Sequence, residues 1–353
     1  MKLFQEQIVR LLTGLVPLEP EQIRADLESP PSLEMGNYAF PCFKLAKIHR
    51  AAPQKIAADL ADKVPADPFF ERVEAMGPYL NFFVDKSMLA GCTVGEILRQ
   101  GADFGKSDEG QGKTVVLDFS APNIAKPFGI GHLRSTIIGN SLYRIHAALG
   151  YKCVGINYIG DWGTQFGKLI AAYLHWGDEE LLQKDPIQHL YELYVRFHRE
   201  AEADPSLGDE GRGWFKKLED GDPYAVALWQ RFRDISLAEF KRVYARLGVE
   251  FDCWHGESFY NTMLEETITA VDALGLLEQS QGAWIVSLEE EGMPPCLLRK
   301  QDGATLYATR DLTAAIYRHD TWQFDKALYV VGVDQTLYFR QLFAVLKKMG
   351  KPW

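Results

Sequence analysis

The residues best suited to chemistry lie in one stretch, "SAPNIAKPFGIGHLRSTIIGN", from Ser120 to Asn140. It carries Gly129, Gly131 and Gly139, two prolines and a single histidine, His132. A short apolar run, "TVVLDF" (Thr114 to Phe119), precedes it. Leu133, Ile137, Ile138, Leu142, Ile145 and Leu149 then keep helical spacing up to Gly150. A buried strand, a glycine-rich turn and a helix start make an anion site. The first helical N–H groups lack intrahelical partners, the helix dipole is positive there, and glycine lets backbone approach a phosphate closely.

Two familiar phosphate motifs fail on this text. "GQGKT" (Gly110 to Thr114) contains a G-K-T, but Ser107 stands where the first glycine of a P-loop belongs, and the triplet precedes a strand instead of following one. It reads as linker. "GIGHLR" supplies G-x-G-x-x, but Arg134 occupies the place of the third glycine of the dinucleotide fingerprint, where close helix–strand packing is required.

The elements around the loop are legible. Residues 1 to about 105 read as a small α+β unit. Helices are expected over Lys2–Leu15, from Pro53 to a stop at Pro65, and over Lys86–Gln100, with "ERVEAM" and "YLNFFVD" as strands around Gly77-Pro78. "GADFGKSDEGQGK" (Gly101 to Lys113) is the candidate linker. Beyond it, "KCVGINYIG" reads as a second strand and "DWGTQFGKLIAAYLHW" as a loop and helix. That alternation predicts a doubly wound parallel α/β sheet. Residues 177–299 are mostly helical, with a strand-like patch at "AWIVSL", and read as an insertion. α/β texture then returns: "ATLYAT" as strand, "RDLTAAIYRH" as helix, "KALYVVGV" as strand and "QTLYFRQLFAVLKKMG" as helix.

Composition narrows the class. The chain has 353 residues, a net charge of −10 and 47% hydrophobic content, enough for two or three cores and unlike a DNA-coating protein. No apolar run has membrane-spanning length and no signal peptide is visible. The five cysteines are scattered with no CxxC, as in reduced cytosolic proteins, and the eight histidines form no HExxH. No structural metal is expected. Glu289 to Glu291 reads as a solvated turn.

Gly129-Ile130-Gly131-His132 resembles the His-x-Gly-His signature of class I aminoacyl-tRNA synthetases, with glycine in place of the first histidine. Together with "GINYIGDWGTQFGKLI", "LYATRDLTAAIYR" and "VVGVDQTLYFRQLF", the opening stretch resembles the arginyl-tRNA synthetase family, and "GNYAF" and "GPYLNFFV" resemble its N-terminal extra domain. The resemblance implies a class I synthetase Rossmann-type sheet in residues 106–353, with a connective insertion at about 177–299, preceded by an additional domain in 1–105 that contacts the tRNA D-loop. It implies an arginine–tRNA ligase that joins L-arginine to ATP, with Mg2+ arriving on the nucleotide, and passes the arginyl group to tRNA(Arg). A cytoplasmic monomer without DNA or membrane partners is expected.

On the same resemblance, His132, Lys126, Gly129 and Gly131 serve catalysis at the phosphates. Asp118 and Asp311 are the planar carboxylates for a guanidinium, with Tyr307 walling the pocket. Asn123 and Gln335 hold the amino-acid end of the substrate, Ala121 and Pro122 contribute backbone, and His132 also borders arginine. Gly129, Gly131, His132, Gly160, Asp161 and Gln165 shape the ATP site, and Tyr79, Asn81 and Phe82 face tRNA. Tyr158 stands where the family often has histidine. "KMGK" (Lys348 to Lys351) imitates the family's lysine-rich loop, yet it ends an apolar helix and reads as a helix stop before Pro352. The expected chain is therefore truncated before the true loop and the anticodon-binding domain, and inactive by itself. A catalytically silent arginine- or tRNA-binding paralogue is the alternative, motivated by Gly129. A non-tRNA ligase using adenylate chemistry is a third.

Overall fold

A computed structural model describes residues 2–300, 305–351 and 353. The chain divides into two compact units, Met1–Gly105 and Lys106–Trp353.

In the first unit, helices α1 (Lys2–Leu12) and α2 (Pro20–Asp26) precede strand β1 (Tyr38–Pro41), and α3 (Phe43–His49) and α4 (Pro53–Lys63) precede the hairpin of β2 (Phe70–Met76) and β3 (Tyr79–Val84). Helix α5 (Lys86–Gln100) closes the unit, with the Asp85 carboxylate accepting the Met88 N–H at 2.7 Å as its cap. The sheet is antiparallel, in the order β1-β3-β2. β3 is central and almost wholly buried, with Phe82 meeting Phe70 edge-on at 5.3 Å. Each such buried phenyl contributes roughly 1.5–3 kcal/mol.

The second unit begins with β4 (Thr114–Asp118), α6 (Ile130–Ala148), β5 (Lys152–Ile156) and α7 (Thr164–Trp176). Helices α8 (Glu179–Lys184), α9 (Pro186–Ala203), α10 (Ser206–Glu219), α11 (Pro223–Leu247) and α12 (Leu264–Ala273) follow. A small antiparallel sheet comprises β6 (Glu278–Ser280), β7 (Ala283–Val286) and β8 (Cys296–Arg299). Helix α13 (Tyr307–Trp322), strand β9 (Lys326–Tyr329) and helix α14 (Thr336–Lys348) complete the unit. The main sheet is parallel in the order β5-β4-β9, and Cys253 extends it beside Ile156. β4 is therefore flanked on both sides, which explains its unbroken apolar run. α6 lies close over the end of β4 because residue 139 is glycine, where a Cβ would collide with the Phe119 side chain.

One sequence expectation fails here. "ATLYAT" is not a strand: Thr305 makes a single bridge to Arg299 and Tyr307 opens α13, while Ala304 lies outside the described residues. Tyr307, Ala308 and Thr309 are instead the first turn of a helix whose apolar face continues through Leu312 and Ala315. At the other end, α14 stops at Lys348 and Gly350 takes φ 72°, as a helix stop requires. Lys348 is held 3.4 Å from both Glu290 and Glu291.

Candidate active site

Above the carboxyl ends of β4, β5 and β9 lies a cavity of about 770 Å3. One wall is the loop from β4 to α6. Ser120, Ala121 and Ala125 all take positive φ, at 76°, 47° and 58°. Left-handed conformations are uncommon for residues with a Cβ, and three in six residues mark a loop held in shape by its surroundings. Helix α11 supplies two of the restraints. The Ser236 hydroxyl accepts the Ala125 N–H at 2.9 Å, and the Tyr244 hydroxyl lies 2.5 Å from Ser120 Oγ. On the other side the loop pairs with the chain after β5: the Gly160 N–H donates to the Pro122 carbonyl at 3.0 Å, and the Ile124 N–H to the Gly160 carbonyl at 3.1 Å.

His132 sits in the first turn of α6 and lines the cavity. Its Nδ1 accepts the Gly129 N–H at 3.1 Å. A ring nitrogen that accepts carries no proton, so the neutral imidazole holds its hydrogen on Nε2, as a donor. Burial pushes the His132 pKa below its ordinary value, which favours that neutral form. The histidine thus caps its own helix with one nitrogen and keeps the other for a ligand.

The acids of the cavity are arranged differently from the sequence expectation. Asp118 lines the cavity, but its carboxylate is paired at 2.8 Å with the guanidinium of Arg318, itself only 1% exposed. A buried aspartate at a strand end needs a counter-charge, and the protein supplies one from α13. Asp118 is therefore not a free partner for an incoming cation. Asp311 is: it accepts the Tyr338 hydroxyl, and Tyr158 lines the same cavity. Burial raises its pKa, and the Tyr338 hydroxyl and the more distant Arg318 charge pull it back down.

The second available acid is Glu257, which no sequence motif singled out. It lines the same cavity and its pKa is pushed up to about 7. Burial is the main cause. Arg310 opposes it, Asp161 and Asp311 add to it, and the Trp162 N–H opposes it weakly from 3.4 Å. Glu257 escaped notice because it stands between helices in the text read as insertion, where a lone Gly-Glu-Ser has no period and no motif.

Ala121, Asn123, Gly129, Gly131, Gly160, Tyr307 and Gln335 also line the cavity, as do Tyr158 and Tyr338. Four expected site residues do not. Pro122 turns its carbonyl to Gly160, and Lys126 holds its ammonium 5.1 Å from the centre of the Tyr194 ring. Asp161 is fully buried, bonded to Arg233 and Ser258. Gln165 lies in the first turn of α7, away from the cavity wall. In the N-terminal unit, Asn81 is 1% exposed with its amide on the Met35 carbonyl at 2.5 Å, and Phe82 is in the core. Neither can stack on or read a base; central position in a sheet buries both faces of β3. Tyr79 alone of the three is partly exposed, edge-on to Phe43.

Among the described residues no group of three or more His, Cys, Asp or Glu side chains could hold a metal ion, and no helix is long and apolar enough to cross a membrane.

A parallel sheet whose first strand feeds a phosphate-type glycine loop and a helix-tip histidine, with a helical insertion before the third strand, is the architecture of a class I aminoacyl-tRNA synthetase catalytic domain. Residues 93–352 match the family described as tRNA synthetases class I (R), catalytic domain, and residues 2–84 match the arginyl tRNA synthetase N-terminal domain. The chain belongs to the arginyl-tRNA synthetase family. It is 55% identical over 350 residues to arginine–tRNA ligase 2 of Bacillus anthracis, and 54% identical over 350 residues to arginine–tRNA ligase of Clostridium perfringens. Both alignments take in 99% of this chain and 62% of the relative, so the chain spans under two thirds of their length. Two solved structures share the fold at 23% identity. They are arginyl-tRNA synthetase from Plasmodium falciparum, with a TM-score of 0.69 over 98% of this chain and 62% of that one, and that of Thermus thermophilus, 0.67 over 99% and 63%.

Proposed function

We propose that this chain forms the arginine- and ATP-binding part of an arginine–tRNA ligase. The ligase activates L-arginine with ATP and passes the arginyl group to tRNA(Arg). The observation that carries the reading is the pair Glu257 and Asp311 in one cavity with the helix-tip His132. Among the described residues neither carboxylate is in an ion pair, and two such acids invite a cation with several N–H donors in a plane; guanidinium fits that demand. The Tyr338 hydroxyl holds Asp311 in place, and the exposed Tyr307 ring walls the pocket.

With its guanidinium at Glu257 and Asp311, the substrate's amino-acid end reaches toward Asn123 and Gln335. Its carboxylate attacks the α-phosphate of ATP in line and pyrophosphate leaves. The residues' task is positioning and neutralising the developing charge. The α6 N-terminus, the Gly129 and Gly131 backbone and the Nε2–H of His132 supply donors where that charge gathers. Mg2+ arrives with the nucleotide and adds charge neutralisation at the phosphates. Gly129, in place of the family's usual histidine, contributes backbone alone.

Residues 1–105 are assigned to the tRNA corner, with Tyr79 as the remaining candidate contact, and about 177–299 to the connective insertion. The enzyme is taken to be a cytoplasmic monomer. The test is arginine-dependent pyrophosphate exchange by the full-length gene product with and without tRNA, alongside calorimetric titration of this 353-residue chain with arginine. Exchange only when tRNA is present supports the ligase. Exchange without tRNA points to a non-tRNA ligase. Binding without turnover points to a silent arginine-binding paralogue.

A further inference from the structure

Asp161 has no exposed surface, and four groups converge on it. The Ser258 N–H and hydroxyl each donate to its carboxylate at 2.8 Å, and Arg233 Nε donates at 3.0 Å. The Trp229 indole N–H donates to its carbonyl at 2.7 Å. Trp229 and Arg233 lie one turn apart on α11, so a single helix face grips both the backbone and the side chain of this residue.

What Asp161 holds is the backbone on either side of Glu257. Ser258 is bound to it directly. Gly256 packs so close that a Cβ there would lie 2.6 Å from Ile159 Cγ1 and 2.7 Å from the Asp161 carboxylate. The Glu257 N–H donates to the Ile159 carbonyl at 3.1 Å. Glu257 therefore projects into the cavity from a strap clamped at residues 256 and 258. The same face of α11 carries Ser236 and Tyr244, which hold the loop of Ser120 and Ala125. One helix of the insertion thus sets both walls of the cavity.

We propose that Arg233 is a positioning residue for the guanidinium site: through Asp161 and Ser258 it fixes Glu257 where it meets the substrate cation, making α11 of the insertion a determinant of arginine selectivity. The inference rests on the assignment of Glu257 to the substrate guanidinium. Arg233 touches no substrate. Its effect is on the placement of an acid, and displacement of a charged contact by about 1 Å costs on the order of 100-fold where alignment matters.

The experiment compares the 353-residue chain with its Arg233→Met, Arg233→Lys and Arg233→Met/Asp161→Asn forms. The double variant removes the pair without leaving a bare buried carboxylate. Amide hydrogen exchange of the ligand-free proteins is read at residues 256–260, and titrations with arginine and with neutral citrulline are read beside it. Arg233→Met and the double variant are expected to exchange faster at 256–260, on the order of tenfold, with loop 120–125 unchanged. They are also expected to lose arginine affinity by on the order of tenfold or more while citrulline binding stays put, with Arg233→Lys restoring much of both. A folded Arg233→Met with native exchange at 256–260 overturns the proposal. So does a double variant that keeps native arginine-over-citrulline preference, or one that no longer folds, which would make the pair a matter of stability alone. If the unaltered chain ignores arginine, the guanidinium assignment fails and the selectivity claim goes with it, while the exchange data still decide whether Arg233 orders the strap.

Discussion

Replacing Glu257 by glutamine separates stability from binding, because the two should move in opposite directions. The folded protein raises this carboxyl from 4.5 to about 7, chiefly by burial. A carboxylate whose folded pKa lies above its unfolded value costs stability once ionised. The cost begins as pH passes the unfolded value and is complete above the folded one. At about 1.4 kcal/mol per unit, it reaches roughly 3 kcal/mol near pH 8, and under roughly 1 kcal/mol at pH 5. Those figures are ceilings, since water reaching a partly exposed group screens its charge. Glu257→Gln removes the cost, so urea denaturation at pH 8 should show a protein up to ~3 kcal/mol more stable than the parent, converging with it at pH 5. Arginine binding should weaken meanwhile. Losing one of two acids around a desolvated guanidinium costs on the order of 3 kcal/mol, about 100-fold in Kd. The parent should also bind arginine more tightly as pH rises through 7, because only the ionised Glu257 contributes, and the variant should lose that slope. A variant that is less stable at pH 8, or that keeps the affinity and pH slope of the parent, would refute the assignment of Glu257 as a buried acid, only partly offset by Arg310, awaiting a cation.

Three further outcomes follow from the geometry. Asp118→Asn strands the fully buried Arg318 and should destabilise the fold by about 3–5 kcal/mol in denaturant titrations, where Asp118→Asn/Arg318→Met regains most of it; a specific arginine-binding loss without destabilisation would return Asp118 to the substrate. His132→Ala should cut kcat of pyrophosphate exchange by roughly 100-fold or more with the KM for arginine little changed, as expected when a donor acts on charge formed in the transition state; an effect confined to KM would place the imidazole elsewhere. Gly129→His should fold normally, since a Cβ at 129 meets nothing nearer than His132 Nδ1 at 4.0 Å. If backbone alone suffices for the phosphates, the KM for ATP should change less than about threefold, within roughly 0.6 kcal/mol; a tenfold improvement would show that the glycine weakens ATP binding.

The parts of this molecule that a reader of the sequence can see are those written as local periods. The apolar run of β4, the 3.6-residue spacing of α6, and the Pro53 and Asp85 starts of α4 and α5 all encode themselves within a few residues. The phosphate loop is legible for the same reason: strand, glycine and helix tip are contiguous. The guanidinium pocket is not, because its acids are chosen by tertiary neighbours. Asp118 and Asp311 look equivalent in the text, and what separates them is Arg318, seven residues after Asp311 and two helical turns along α13, which forms an ion pair with Asp118 and not with Asp311. Glu257 comes from a segment with no motif at all, and its place is fixed by an aspartate and an arginine from two further elements. Asn81 and Phe82 mislead for the converse reason: "YLNFFV" alternates poorly because β3 is central and both its faces are buried, so an amide beside aromatics there is packing, not a base platform. The positive φ values of Ser120, Ala121 and Ala125 have no signature in residue type either, since glycine would be the usual choice. Such strain persists only where the surroundings impose it, and here the imposing groups, Ser236 and Tyr244, belong to the insertion more than a hundred residues away. The helical insertion therefore cannot be treated as decoration on the parallel sheet: without α11 the loop has no reason to hold its left-handed turns, and the acid at 257 has no reason to face the cavity.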